Sequence, residues 1–533
     1  MKFTLSWLKD HLDTDASLQE ITDKLTAIGL ELEGVEDPAA ALAQFKVAEV
    51  ISAEQHPDAD RLRVLQVQTA DHDSPLQVVC GAPNARTGMK GVLALPGSYV
   101  PALDITLKKS KIRGVESNGM MASERELNLG EDHDGIIDLD AKWEIGTPIA
   151  DVLGLNDPVI DIAITPNRAD CTGVYGVARD LAAAGMGTLK PLAKPEINAD
   201  FASPIDIKFN LSADNAEACP HFMGRTIKGV KNGPSPEWLQ TRLKAIGLRP
   251  ISALVDITNW STFDLGRPLH VFDADKVNGD LTMRFAKSGE KLKALDESEY
   301  VLDEGMIIIS DDDSPQGIGG VMGGLASGCS EKTTNVFLEV ALFDPVQIAT
   351  TGRKLGITSD ARYRFERGID PTSIEWGTEI ASRMILDICG GEASELTIAG
   401  EMPAWQKSYT LRTERVMSLG GLDVPITEQN KILSVLGFKT ENERGGLRCE
   451  VPPWRPDIEG EADLVEEILR IYGYDKIPAL SLPNESVVPR PVRNKAQERI
   501  ESVRRILAHK GLVEAVTYSF LDAKTAELFG DVP

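Results

Sequence analysis

A single glutamate, Glu339, interrupts VFLEVALF (residues 336–343), a run that otherwise has the apolar composition of a buried strand. A carboxylate in such a place is costly unless it is paired, hydrogen-bonded or protonated. Three readings stand: it points out of a one-sided strand, it meets a structural arginine, or it waits as an acceptor for a ligand hydroxyl. Just upstream lies GIGGVMGG (317–324). A dinucleotide GxGxxG would need glycine where Met322 stands, and no Gly-Lys-Ser/Thr follows for a Walker A loop. What these glycines offer is close backbone approach to a ligand. No Ser/His/Asp arrangement accompanies this segment.

Two further clusters carry charge. In WRPDIEGEADLVEE (454–467), Asp463, Glu466 and Glu467 fall at i, i+3 and i+4 on one helical face, with Asp457 about a turn ahead. Acids in a first helical turn favour the helix dipole, and Asp457 also suits an N-cap. The alternative is an oxygen-only ligand set, the kind that suits Mg²⁺. In KKSKIR (108–113), Lys108, Lys109, Lys111 and Arg113 crowd together. If that run is a strand, Lys109, Lys111 and Arg113 share a face spaced to follow a phosphate backbone; otherwise it is a solvated edge with gatekeeper lysines. A third stretch, 490–510, sets cations against Glu498 and Glu501. Its Ile500, Val503, Ile506 and Leu507 recur at helical spacing, which predicts an amphipathic basic helix that packs on its own domain or faces a nucleic acid or a partner.

The elements that must hold these residues follow from the patterning. Residues 1–38 read as a self-contained helical segment, with Trp7, Leu8, His11 and Leu12, then Ile21, Leu25 and Ile28, at helical spacing. From 39 to 150 short apolar runs alternate with Gly, Pro and Asn turns, the pattern of a small β-barrel. A connecting segment fills 151–204 and ends in a linker with many prolines, Pro191 to Pro204. Residues 205–398 predict an α/β domain, with strands at IDIKF, FMGRTI, MIIISD and NVFLEVALF and helices over 236–246 and 373–389. A small α+β unit spans 404–480, and the basic helix opens a further module over 484–533. The chain is thus multidomain α+β.

Composition narrows the function. The 533 residues are 42% hydrophobic and 26% charged, which excludes wholesale disorder and fibrous classes. No stretch reaches the roughly 18 uninterrupted apolar residues of a membrane span, and the start lacks a secretory pattern, so a cytoplasmic location is expected. The six cysteines lie far apart, which fits reduced thiols rather than CxxC sites. The seven histidines show no HExxH. A net charge of −26 argues against a generic nucleic-acid binder while leaving local basic patches open.

The blocks HPDADRLRVLQV, VVCGAPNARTGMKGVLALPGS and KKSKIRGVESNGMMAS resemble the tRNA-binding OB-fold module shared by several synthetases and free-standing tRNA-binding proteins. Along the rest of the chain, ITPNRADCTGVYGVARDLA, LVDITNW, GRPLHVFDADKV, GIGGVMGG, FLEVALFDP, YRFERGIDP and WRPDIEGEADLVEEILRIYGYDKIP resemble, in order, the bacterial phenylalanyl-tRNA synthetase β subunit. That resemblance implies an OB-fold tRNA-binding domain at 39–150, an editing domain at 205–398, and a B5-like domain at 404–480. It further implies the opening of a class II catalytic-like module that is truncated at its C-terminus. It assigns His270, Asn259, Gly323 and Glu339 to a pocket that hydrolyses mischarged Tyr-tRNA(Phe), with Glu339 meeting the tyrosine phenol. It assigns Asp457, Asp463, Glu466 and Glu467 to a Mg²⁺ site shared with an α subunit. The adenylation site, and with it ATP use, would lie in the α chain of an α₂β₂ heterotetramer that charges tRNA(Phe). Two other readings remain open: a non-catalytic tRNA-binding or assembly protein using only the OB domain, and a free-standing editing hydrolase.

Overall fold

A computed structural model describes residues 1–130, 135–482 and 491–530, in two compact units, Met1–Ile477 and Pro478–Pro533. The first unit begins with helices Leu5–His11 and Leu18–Ala27, N-capped by Thr4 and by a Ser17/Glu20 capping box. The N-terminal segment is not self-contained. Lys2–Thr4 and Leu32–Glu36 flank Val159–Ile162 in an antiparallel sheet. Ile160, Ile162, Val174, Val177 and Leu181 complete a core with Phe3, Trp7, Leu8, Ile21 and Leu25. Helices of 7 and 10 residues each bury one face and need a covering layer, which the chain supplies only after a further sheet has intervened.

The intervening sheet has the order Met120–Met121, Lys90–Ala94, Phe45–Gln55, Arg63–Gln68, Leu76–Cys80, antiparallel throughout. Its two ends approach each other: the Asn118 N–H donates to the Gln77 carbonyl at 2.8 Å and the Val79 N–H to Ser117 Oγ at 3.0 Å. Val50, Leu65, Val67, Val78 and Leu93 fill the interior.

Residues 205–398 build two packed sheets. One is antiparallel, in the order His270–Asp273, Asn335–Leu342, His221–Lys228, Glu392–Gly400; the other is mixed, Ile207–Asn210, Leu281–Phe285, Ile307–Ser310, Pro315–Ile318, Met322–Gly323. Between Asn335 and Leu342 every residue but Glu339 is apolar, because both faces of the strand are covered. Val336, Leu338 and Val340 pack against helices Ala253–Leu265 and Ser373–Cys389. Phe337 and Ala341 face Met283, Ile307 and Ile309 of the other sheet. The helix expected at 236–246 is Glu237–Ala245, and the one at 373–389 is found at those bounds.

Residues Ser408–Arg412, Gly446–Glu450 and Lys439–Glu443 form a three-stranded antiparallel sheet, covered by helices Ile426–Val435 and Glu461–Tyr472 around Leu433, Leu447, Leu464 and Ile468. In the second unit, helix Lys495–His509 is capped by Asn494, and Ile500, Val503, Ile506 and Leu507 are exposed on it. Arg490, part of the basic run, lies outside the described residues. No helix of the described residues is long and apolar enough to cross a membrane.

Candidate functional site

Strand alternation aims Glu339 away from the helices. It shares its face with Phe337 and Ala341, towards the mixed sheet. On the neighbouring strand His270 is its direct cross-strand partner, and the His270 ring meets Phe272 edge-on at 4.5 Å. The Gly-rich segment forms the opposite wall as a tight hairpin in which Gly317 pairs with Gly323. A Cβ on Gly323 would lie 2.5 Å from His270 Cε1 and 2.9 Å from Leu295 Cδ1. A side chain there would displace the imidazole, so the absence of one is what lets loop and ring close on the same space. Asn259, from helix Ala253–Leu265, enters from the side. All four expected residues line one cavity of about 520 Å³, otherwise walled by groups such as Phe272, Leu295, Phe343 and Phe365.

Two polar groups in this cavity, on Glu339 and His270, lack partners among the described residues. Glu339 is 7% exposed and, among the described residues, its carboxyl accepts no hydrogen bond. Burial pushes its pKa up to about 8 against the opposing pull of the Arg267 guanidinium. His270 Nε2 is buried without a partner, and burial lowers its pKa to about 4, so the ring is neutral. The hydroxyls that could act as nucleophiles are committed to carbonyls: Thr258 to Val255 at 2.8 Å, Thr262 to Thr258 at 2.8 Å and Ser359 to Val321 at 2.7 Å. The Cys329 thiol is pushed up to about 12, mainly by burial, and is inert as a nucleophile. Arg267 was not anticipated as part of this environment. Its position three residues before His270, in an apolar context, was the available signal.

The cationic segment differs from a continuous strand. Only Ser110–Ile112 is strand, paired with Val115–Ser117, and Arg113 and Gly114 form the turn at φ 46° and 86°. Arg113 therefore sits at a hairpin tip and does not share a strand face with Lys109 and Lys111. Lys108, Lys109, Lys111 and Arg113 are all exposed, and none forms an ion pair among the described residues. A strained, positive-φ arginine gains nothing for a simple edge; four free cations around one tip suit a polyanion.

Three of the four acids are already engaged by other groups of the protein. The Asp463 carboxylate accepts from the Glu459 and Gly460 N–H groups at 2.8 and 2.9 Å, closing the N-terminus of helix Glu461–Tyr472. Asp457 is held bidentately by Arg455 at 2.8 and 2.7 Å. Glu467, 1% exposed, lies between Arg455 at 2.5 Å and Arg470 at 2.7–2.8 Å, and its pKa is held well below the usual range by those two charges overcoming burial. Glu466 is exposed. Among the described residues no group of three or more His, Cys, Asp or Glu is placed to hold a metal ion. The shared Mg²⁺ set expected of Asp457, Asp463, Glu466 and Glu467 does not fit this arrangement, because arginines and backbone amides already occupy three of the carboxylates.

Comparison with known proteins adds identity to this geometry. The family models described as "Putative tRNA binding domain", "B3/4 domain" and "tRNA synthetase B5 domain" match residues 45–148, 218–390 and 409–474. The phenylalanine–tRNA ligase beta subunit of Paramagnetospirillum magneticum is 54% identical over 99% of this chain and 66% of its own length. That of Ruegeria pomeroyi is 56% identical over the same shares. A solved N-terminal fragment of the phenylalanyl-tRNA synthetase beta subunit from Pyrococcus horikoshii matches 60% of this chain and 88% of that one at 16% identity and a TM-score of 0.33. With more than half of its residues identical to these relatives along nearly its whole length, the chain belongs to the phenylalanine–tRNA ligase beta subunit family and spans about 66% of the length of the relatives it matches.

Proposed function

We propose that this chain acts as the β subunit of an α₂β₂ phenylalanine–tRNA ligase, in which an α subunit carries the ATP-dependent adenylation of Phe. The β chain contributes tRNA binding and the hydrolysis of Tyr-tRNA(Phe) within the 520 Å³ cavity. The cytoplasm is its proposed location. The observation that carries the editing role is Glu339, a buried acceptor with no partner, opening on a cavity walled by aromatic and aliphatic groups. A tyrosine ring fits such walls and its phenol donates to Glu339. A phenylalanine ring leaves the carboxyl stranded. The difference is one hydrogen bond to a charged or chargeable group, about 1.5–3 kcal/mol, or roughly 10- to 150-fold in rate. With the wall hydroxyls and the thiol committed or inert, the ester is attacked by water. Asn259 and the neutral His270 are the groups that position it. Magnesium is not routed through the 457–467 acids in this reading. The chain assembled with α should deacylate pre-formed Tyr-tRNA(Phe) faster than Phe-tRNA(Phe) by that factor; equal rates would overturn the editing assignment.

The five-stranded sheet, read as an OB-fold, is the proposed tRNA platform, with the 108–113 tip as its electrostatic contact. Lys109→Glu with Lys111→Glu is expected to weaken tRNA binding. It should also flatten the plot of log affinity against log salt by about two units, one for each lost phosphate contact. A filter-binding titration with an unchanged slope would reduce the tip to a solvated edge.

A further inference from the structure

Arg267 is among the largest fully buried side chains of the protein, at 0% exposure. Its Nη2 donates to the Ala341 carbonyl at 2.6 Å, while Nε and Nη1 are buried without partners. No carboxylate lies within ion-pairing distance among the described residues. Gly377 packs on its stem, where a Cβ would come within 3.1 Å of Cγ, and the guanidinium lies 5.8 Å from the Phe365 ring. Burial lowers its pKa to about 9, with Asp370 and Glu339 pulling the other way. An isolated buried cation is destabilising, and one that only filled space would be replaced by a neutral chain at no loss. Its fixed point is informative. Ala341 is two residues beyond Glu339 on the same strand, so the hydrogen bond anchors the charge to the backbone that carries the pocket carboxyl. Arg267 itself does not line the cavity.

We infer that Arg267 is a positioning residue for Glu339: it supplies, from outside the cavity lining, the positive field that lets the pocket carboxyl act as an ionised acceptor for a substrate hydroxyl. This inference rests on the editing reading of the cavity. The other groups facing Glu339 offer no such field. His270 is neutral and its Nε2 unpartnered, and Cys219 is a buried thiol with its pKa driven up by burial. Gly224 on the other flanking strand has no side chain. Across the cavity Asp360 is engaged by Arg364, and Asp370, which does not line the cavity, accepts from Thr372. Arg267 is the one cation among them whose field reaches Glu339 unopposed by a direct ion pair.

The test is the ratio of Tyr-tRNA to Phe-tRNA deacylation by the assembled complex between pH 6 and 8.5, corrected for spontaneous hydrolysis. Taking the ratio cancels the pH dependence of water attack common to both substrates. In the wild type the ratio should climb as Glu339 ionises. Arg267→Met and Arg267→Gln should move that climb up by about one pH unit or more, a tenfold loss of ionised acceptor at fixed pH below it. Arg267→Lys should keep it near the wild-type position. Arg267→Gln keeps a donor for the Ala341 carbonyl and so guards against simple loss of folding, which melting curves monitor. A climb unmoved in a folded neutral variant overturns the role of Arg267. Glu339→Gln separates the two claims: it should flatten the ratio, and an unaltered ratio there would bring down the editing reading itself, whatever Arg267 does.

Discussion

Glu339→Ala, introduced into the complete complex with α, is expected to leave Phe-tRNA synthesis near wild type while Tyr-tRNA accumulates. The proposed division of labour places adenylation in α, so truncating a side chain in the β cavity should not touch the forward reaction. Deacylation of pre-formed Tyr-tRNA should fall by roughly 10- to 150-fold, the worth of the lost hydrogen bond. A structural glutamate predicts the opposite pattern, with both activities failing together as the fold weakens. Stability separates the cases. The pKa of Glu339 is raised to about 8 in the folded protein, above its ordinary value, so the native state binds its proton more tightly than the unfolded chain. The stability this proton contributes is complete below about pH 4.5 and is lost as pH rises through 8. Wild type should therefore lose stability across that window, and Glu339→Ala should lack this component. Normal Tyr-tRNA deacylation in a folded Glu339→Ala complex would remove the residue from the site.

The pocket was legible from sequence to a degree that the charged clusters were not, and the reason is physical. Glu339 stood out because a carboxylate in a two-sided apolar strand violates local composition. The same burial that made it conspicuous also leaves it unpartnered on the cavity floor. Helix Ser373–Cys389 was equally plain, since its periodicity and the Gly390-Gly391 stop are local. By contrast, the partners of the N-terminal helices lie beyond an entire inserted sheet, at Val159–Ile162, and periodicity carries no information about which distant strand covers a face. The acids at 457–467 show the same limit more sharply. Their i, i+3, i+4 spacing is compatible with a ligand set and with an ion network, and the choice depends on where Arg168 and Asp180 come to rest. Part of the answer was nevertheless local: Arg455 stands two residues before Asp457, and Arg470 follows Glu467 by three. At the 108–113 tip, Arg-Gly between two short β-prone pairs marked a turn, and alternation alone missed it.

Glu467→Gln should be among the most destabilising single substitutions in the Met1–Ile477 unit. Glu467 sits in a network where Arg168, Arg179, Arg455 and Arg470 meet Asp170, Asp180, Asp457 and Glu467, so that positive and negative groups match. Arg470 binds Asp180 at 2.7 and 2.9 Å as well as Glu467. The network thereby ties helix Val174–Ala183, which covers the N-terminal core, to helix Glu461–Tyr472. Neutralising Glu467 leaves Arg455 and Arg470, each about 3% exposed in the side chain, with one carboxylate too few. Breaking a buried pair from one side costs about 3–5 kcal/mol, because the remaining charge is neither solvated nor paired. The pH dependence has a definite sign. The Glu467 pKa is depressed in the folded state, so its contribution is present above about pH 4.5 and is lost as acid protonates it in the native protein. Urea titrations of wild type and variant should therefore differ by several kcal/mol at pH 7 and converge in acid. A metal site built on these carboxylates makes a different forecast: Mg²⁺ would raise the wild-type midpoint, and a chelator would lower it to that of the variant. Insensitivity of the wild type to both, together with the large cost at pH 7, is the result expected of arginines holding these acids, and a magnesium-dependent midpoint would show that an ion displaces them.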